Sequence, residues 1–263
     1  ILLTTSDILL EDVHFNLSFT DSYQLGRKAL AVNLSDIAAM GGTPRFFLVS
    51  LALPAHISVS FIDYLYRGIM DLADEFSASL VGGDTNASPQ KLMLALTVLG
   101  EVHPDLLLKR SGAQAGDSIF VTGTIGDAAL GLMYLQTDHA VTAQTPASRL
   151  VAKHRSPIPR VKEGKVLADN GLASSLIDIS DGLLIDLKRI LTASGKGATV
   201  WLEMIPLSSE FKQADTPLHC NKIEYALTGG EDYELLFTCP PPKESLLSQA
   251  ASRAEFTITK IGT

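Results

Sequence analysis

Five aspartates, Asp7 in TTSD, Asp36 in NLSD, Asp84 in VGGDT, and Asp178 and Asp181 in IDISDG, each occupy a short glycine- or serine-flanked break between apolar segments. This pattern constrains the chain more than any other feature. Two carboxylates brought close together repel by roughly 4 kcal/mol at an effective dielectric of 20, so a fold that gathers several of them does so around divalent cations. If the five converge, magnesium and a phosphorylated substrate follow.

The 263 residues, 46% of them hydrophobic, suffice for a large core, arranged as one large α/β unit or, preferably, as two domains. A net charge of −8, with neither a basic stripe nor a basic tail, argues against nucleic acid or an anionic membrane as partner. A phosphate handled here then arrives on a small molecule. Cys220 and Cys239 lack metal-type spacing and are too few for a disulfide framework, which suits packed thiols in a reducing cytosol. A cytoplasmic, soluble protein is expected, because the longest apolar candidate, Phe46 to Ala55, is interrupted by Ser50 and Pro54 and reads as a buried strand. The chain starts at Ile1 without methionine and stops at Thr263 inside an apolar alternation, so both natural ends are expected to lie outside it.

Strands are expected at Ile1 to Thr5, Phe46 to Leu53, Leu80 to Val81 (ending at Gly82-Gly83), Leu92 to Val102, Ser118 to Thr122, Ser175 to Ile179, Ala198 to Glu203, Glu234 to Thr238 and Phe256 to Ile261. Helices are expected at Tyr23 to Met40, which Gly41-Gly42 ends, and at Ser58 to Ser79, where Phe61, Leu65, Ile69, Leu72 and Phe76 recur at helical spacing. Others run from the Gly123-Thr124-Ile125-Gly126 turn to about Gln136, and over Ser148 to His154, Pro159 to Asn170, Leu183 to about Gly195, and Lys243 to Arg253. His103 to Asp117 is the best linker. Helices interspersed with strands of mixed spacing favour α/β or α+β layers over an all-β sandwich.

Neither a Walker loop nor G-x-G-x-x-G occurs, so a nucleotide must be held another way, and magnesium bridging carboxylates to phosphate oxygens offers one. In VGGDTN two glycines let the main chain approach a ligand while Asp84 is presented from a strand end; a tight turn with a capping aspartate is the plainer alternative. Asp36 reads equally as a ligand or as a helical capping residue. In IDISDGLL, Asp178, Ser180 and Asp181 cluster at a helix start whose dipole favours anions, and N-capping explains the same residues. TTSD sets two threonines, a serine and an acid at a strand end, followed by His14. Arg110 in KRSG and Glu231 in GGEDYE each place a charge beside glycine, and each alone also reads as a member of a surface ion pair. Nothing supports Ser-His-Asp or Cys-His covalent catalysis.

Taken in order, TTSD, DVHF, KALAVNLSDIAAMGGTP, VGGDT, RSGAQAGD, VTGTIGDAALG, IDISDGLLIDL and TGGEDYEL resemble thiamine-monophosphate kinase. That family belongs to the superfamily of aminoimidazole ribonucleotide synthetase, selenophosphate synthetase and a hydrogenase maturation factor. The resemblance implies an ATP-dependent phosphorylation of thiamine monophosphate to thiamine diphosphate. It implies magnesium ligands at Asp7, Asp36, Asp84 and Asp178, a further ion at Asp181, and contributions to the metal site from Thr5 and Ser6. Substrate contacts fall on His14 and Glu231, and nucleotide contacts on Gly83, Arg110, Ser180 and Tyr66. The implied architecture is an amino-terminal α/β domain over 1–103, a carboxyl-terminal α+β domain over 114–263, and a homodimer whose first-domain strands build a shared β-barrel. The family's upstream Gly-Asp-Asp segment and a late aromatic that covers the thiamine lie outside these residues. The alternatives are another ATP-dependent enzyme of the superfamily and a non-catalytic scaffold.

Overall fold

The computed structural model describes residues 1–137, 145–216 and 221–263. The first sheet is built from β1 (Leu2–Leu10), β2 (Thr43–Leu53), β3 (Ser79–Ala87) and β4 (Met93–Glu101) in the order β1-β4-β2-β3. β4 is antiparallel to both β1 and β2, while β2 and β3 run parallel. Helices α1 (Ser22–Ala39) and α2 (Val59–Glu75) cover one face of this sheet. They cross in close contact because each carries a glycine at the crossing. A Cβ on Gly26 would stand 2.0 Å from the Leu65 carbonyl oxygen, and one on Gly68 equally close to that of Tyr23. Asp21 and Ser58 cap the two helices, accepting from the backbone N–H groups of Gln24 and Phe61.

The second sheet has the order β6-β7-β5-β8, all antiparallel, from β5 (Ser118–Thr122), β6 (Ser175–Asp178), β7 (Leu235–Cys239) and β8 (Ile258–Gly262). Its strands β5, β6 and β7 are buried along their whole length. Phe120, Leu176, Leu235 and Phe237 join the core shared with α1, whereas Ile119, Val121, Ile177 and Leu236 join a second core. That second core lies under α3 (Asp127–Gln136), α4 (Pro146–Arg155), α6 (Leu183–Ser194), α7 (Ser209–Gln213) and α8 (Lys222–Thr228). Two further helices, α5 (Val161–Asp169) and α9 (Glu244–Arg253), pack into the shared core through Leu167 and Leu247. Helix α1 thus touches both sheets, and the result is a mixed α/β fold in two domains.

Several expected boundaries shift. TTSD is not a strand end: β1 continues through it to Leu10 because Leu3, Thr5, Asp7 and Leu9 keep alternating inward against β4. Nor is VGGDT a break. β3 runs straight through the glycines, with the extra residue Val81 taken up by a bulge opposite Phe47 and Leu48. The strand expected at Ala198 to Glu203 reduces to a single bridge between Val200 and Gly262, followed by a 3-10 turn at Leu202–Met204. The short helices α7 and α8 were not legible in the sequence. Neither sheet closes into a barrel, and the first leaves its outer face uncovered. Cys239 is buried, with its thiol pushed up to about 11 by burial; Cys220 lies outside the described residues.

Candidate active site

Three elements bring carboxylates to one cavity of about 420 Å³ between the two sheets: β1 with Asp7, α1 with Asp36, and the β6–α6 turn with Asp178 and Asp181. His14, Lys28, Ser180, Glu231 and Tyr233 line the same space. The α1 segment VNLSD is the hub. Asn33 Oδ1 accepts the backbone N–H of Asp7 at 3.2 Å, the Ser35 hydroxyl donates to Asp178 at 2.7 Å, and Asp36 accepts the hydroxyl of Thr5. One helix stripe, Lys28, Val32 and Asp36, thereby faces the cavity at i, i+4 and i+8.

The carboxylates respond to one another. Burial, reinforced by the charge of Asp36, raises Asp7 to about 6. Burial and the same neighbour raise Asp178 to about 7, although the Ser35 hydroxyl opposes the shift. Asp36 is also raised by burial, moderated by Thr5 and by the guanidinium of Arg110, which places Arg110 within electrostatic reach of the cluster. Among the described residues no three acidic, histidine or cysteine side chains form a ready-made metal cage. The donor set nevertheless suits a hard cation: carboxylate and hydroxyl oxygens, with the proton affinities of Asp7 and Asp178 raised first by burial and further by the charge of Asp36.

Four expected site residues stand elsewhere. Asp84 is exposed on β3, the far edge of the sheet, where it accepts from Thr85 N–H and from Asn86. It pairs with Ser50 on the outer face, while Asp7 pairs with buried Leu96 on the inner face. Three strand spacings, about 14 Å, also separate β1 from β3. Ser6 likewise points outward and shares a hydrogen bond with Thr97. Gly83 has a steric reason to be glycine, since a Cβ there would lie 1.8 Å from the Val49 carbonyl oxygen of the parallel neighbour. Tyr66 packs from α2 against the shared core.

The structure also recruits residues that sequence reasoning missed. Asp186, in the first turn of α6, is fully buried. Its Oδ2 accepts the backbone N–H groups of Ser180, Asp181 and Gly182 at 3.0 to 3.1 Å, and its Oδ1 pairs with Arg189. It thus holds the turn that carries Ser180 and Asp181; Asp181 itself pairs with Arg189. The available signal was a carboxylate on the apolar stripe of Leu183, Leu187 and Ile190.

GGEDYE serves four places at once. Glu231, at φ +68°, enters the cavity, where Lys28 Nζ lies 3.0 Å and His154 Nδ1 2.9 Å from its Oε2. The imidazole contact is short but off the hydrogen-bond line, and it is an ion pair whenever the ring is protonated. Burial raises the proton affinity of Glu231, yet His154 and the charge of Lys28 outweigh it and hold the carboxyl down at about 2. Asp232 turns the other way, accepting the N–H groups of Gly126 and Ala128 at the start of α3, and burial raises it to about 8. Tyr233 returns to the cavity, and Glu234 binds Arg160 and Thr122 beneath β5.

Comparison with known proteins then places this arrangement. The family model described as AIR synthase related protein, N-terminal domain, matches residues 1–102, and the one described as AIR synthase related protein, C-terminal domain, matches 114–263. The chain is therefore a two-domain protein of the AIR synthase-related class. A thiamine-monophosphate kinase of Bacillus subtilis is 39% identical over 257 residues, covering 97% of this chain and 78% of that relative. A crystal structure of thiamine-monophosphate kinase from Stenotrophomonas maltophilia K279a superposes with a TM-score of 0.92 at 36% identity, covering 100% of this chain and 82% of the other. A structure described as AaThiL complexed with AMPPCP and TMP gives 0.87 at 35% identity, with 99% and 80% covered. Within the class, the chain belongs to the thiamine-monophosphate kinase family.

Proposed function

We propose that this enzyme transfers the γ-phosphoryl group of ATP to the phosphate of thiamine monophosphate, yielding thiamine diphosphate and ADP. The observation that carries the reading is the meeting of Asp7, Asp36 and Asp178 with Glu231 in one cavity. An AMPPCP and TMP complex of a structural relative supports both substrates. The acceptor is a phosphate oxygen, largely ionised at neutral pH, so no strong general base is needed. Positioning and charge neutralisation carry the rate of an in-line transfer.

Asp7, Asp36 and Asp178, with Thr5, would hold magnesium, and Asp181 a further ion. Bound magnesium would neutralise the phosphates and hold them in register. Arg110 offsets nucleotide phosphate charge from beside Asp36. Ser180, fixed by Asp186, faces the nucleotide, with Gly83 and Tyr66 as its more distant contacts. His14 and Glu231 grip the acceptor, the carboxylate matching a cationic thiazolium.

The domains are 1–103, carrying the metal and nucleotide residues of β1, α1 and β3, and 114–263. A homodimer with a shared barrel fits the uncovered outer face of the first sheet, where Leu2, Ile8, Phe46 and Met93 are exposed. Ser6 and Asp84 share that face but lie too far apart to act together within one chain. A second copy facing it would bring one chain's Asp84 toward the other's Ser6, and both would then serve one site. Among the described residues no helix is long and apolar enough to cross a membrane.

Titration calorimetry with AMPPCP, magnesium and thiamine monophosphate tests the reading, together with ADP release in a coupled assay. Metal-dependent nucleotide heat and turnover dependent on thiamine monophosphate are expected. A chain that binds nucleotide without regard to metal, and releases no ADP, is not this kinase.

A further inference from the structure

Lys28 carries a cation, yet among the described residues it is one of the largest fully buried side chains, 2% exposed. Its partner Glu231 sits in the cavity on a strained left-handed backbone that few non-glycine residues adopt. Lys28 Nζ and His154 Nδ1 both approach Oε2 of Glu231, and neither engages Oε1. Lys28 has spent only one of its three N–H donors on Glu231, and it lines the cavity beside Asp7, Asp36 and Asp178, where the phosphates are placed. The cavity therefore presents a fixed pair of opposite charges side by side.

A thiamine monophosphate molecule carries the matching pair, a ring cation and a phosphate anion. We propose that the Lys28–Glu231 ion pair is the reader of this zwitterion: Glu231 Oε1 faces the cationic ring, and Lys28 donates to the acceptor phosphate, so that Lys28 makes the site select the phosphorylated form of the vitamin over the free alcohol. The inference rests on the reading that Glu231 grips the acceptor, and it adds a residue and a selectivity to it. A buried ammonium is suited to the task because its hydrogen bond to a phosphate is charge-assisted and because an unphosphorylated competitor leaves it without that partner.

The test compares the affinities of thiamine monophosphate and thiamine, by calorimetry with AMPPCP and magnesium present, in the wild type, Lys28→Met and Glu231→Gln. Lys28→Met is expected to weaken thiamine monophosphate by about 10- to 100-fold, the loss of one charged hydrogen bond, and to leave thiamine within about 2-fold. Glu231→Gln should weaken both ligands together. Lys28→Arg, which keeps a cation in place, should retain the preference for the phosphorylated form. AMPPCP affinity and the melting temperature report folding, and Lys28→Gln replaces the methionine variant if the latter does not fold. Equal loss of both ligands in Lys28→Met or Lys28→Gln would make Lys28 a structural prop of Glu231 and overturn the proposal, as would no loss of either. A wild type that binds neither ligand would instead refute the kinase reading itself.

Discussion

Replacing Asp186 with alanine isolates the device that positions the active-site turn. The carboxylate does not line the cavity, yet three consecutive backbone N–H groups, those of Ser180, Asp181 and Gly182, end on its Oδ2, and Arg189 ends on Oδ1. Each N–H left without an acceptor costs about 1–3 kcal/mol when buried. Ser180 and Asp181 lie close enough to solvent for water to recover part of that, whereas Gly182 is buried. A net loss of about 3–5 kcal/mol follows, which at about 2–4 °C per kcal/mol lowers the melting temperature by about 6–20 °C. Scanning calorimetry measures it. Because the freed turn carries the residues placed at the nucleotide, kcat/KM for ATP should fall well beyond the fraction unfolded at the assay temperature. Asp186→Asn retains an acceptor oxygen for the turn while facing Arg189 with an amide, and should recover more than half of both losses. An alanine variant melting within about 2 °C of the wild type with unchanged kcat/KM would refute the claim that this carboxylate holds the turn.

Asp84→Asn and Asp178→Asn should each abolish turnover without unfolding the chain, and mixing the two inactive proteins under subunit exchange should restore part of the activity if a second copy supplies Asp84; no recovery in verified heterodimers would place Asp84 outside the partner's site. The acid cluster gives a pH dependence of definite sign. Folded Asp7 and Asp178 titrate at about 6 and 7 against 3.8 for a free carboxyl, so between these values the folded state holds protons that the unfolded chain has released. Stability of the metal-free protein should therefore fall as pH rises from about 4 to about 7 and level off above, and magnesium should bind more tightly at pH 8 than at pH 6 with release of protons, seen in calorimetry as heats that depend on the buffer's ionisation enthalpy. Gly83→Ala drives a Cβ to within 1.8 Å of the Val49 carbonyl oxygen and should cost about 1–3 kcal/mol by denaturant unfolding; a neutral effect would mean that β3 yields freely.

Most of the element order was legible because the driving pattern is local. Apolar residues at helical spacing with Ser58 in front specify α2, and apolar runs bounded by turn residues specify β2, β4, β5 and β7. The failures share one cause. Gly82, Gly83 and the polar TTSD segment read as breaks, yet strand pairing carries both through, since the ladder to β2 and β4 satisfies their backbones whatever side chains they bear. Ala198 to Glu203 has strand-like side chains but finds an edge partner at only one position. Lys28 has no local explanation because its partner Glu231 lies 203 positions away, whereas Asp186 sits among apolar helix residues and its role shows only once the preceding turn folds back onto it.

What the sequence determined by itself is the chemistry available: oxygen ligands at breaks and helix starts, a negative net charge, and an ordered set of motifs that places the chain in its family. The tertiary structure decided which of those oxygens meet. Alternation along a strand sends Thr5 and Asp7 to one face and Ser6 to the other, and sheet order puts Asp84 on the opposite edge, so residues that look equivalent in the sequence divide between an interior cavity and an open face. That division depends on pairing register and strand order, which are properties of contacts between distant segments.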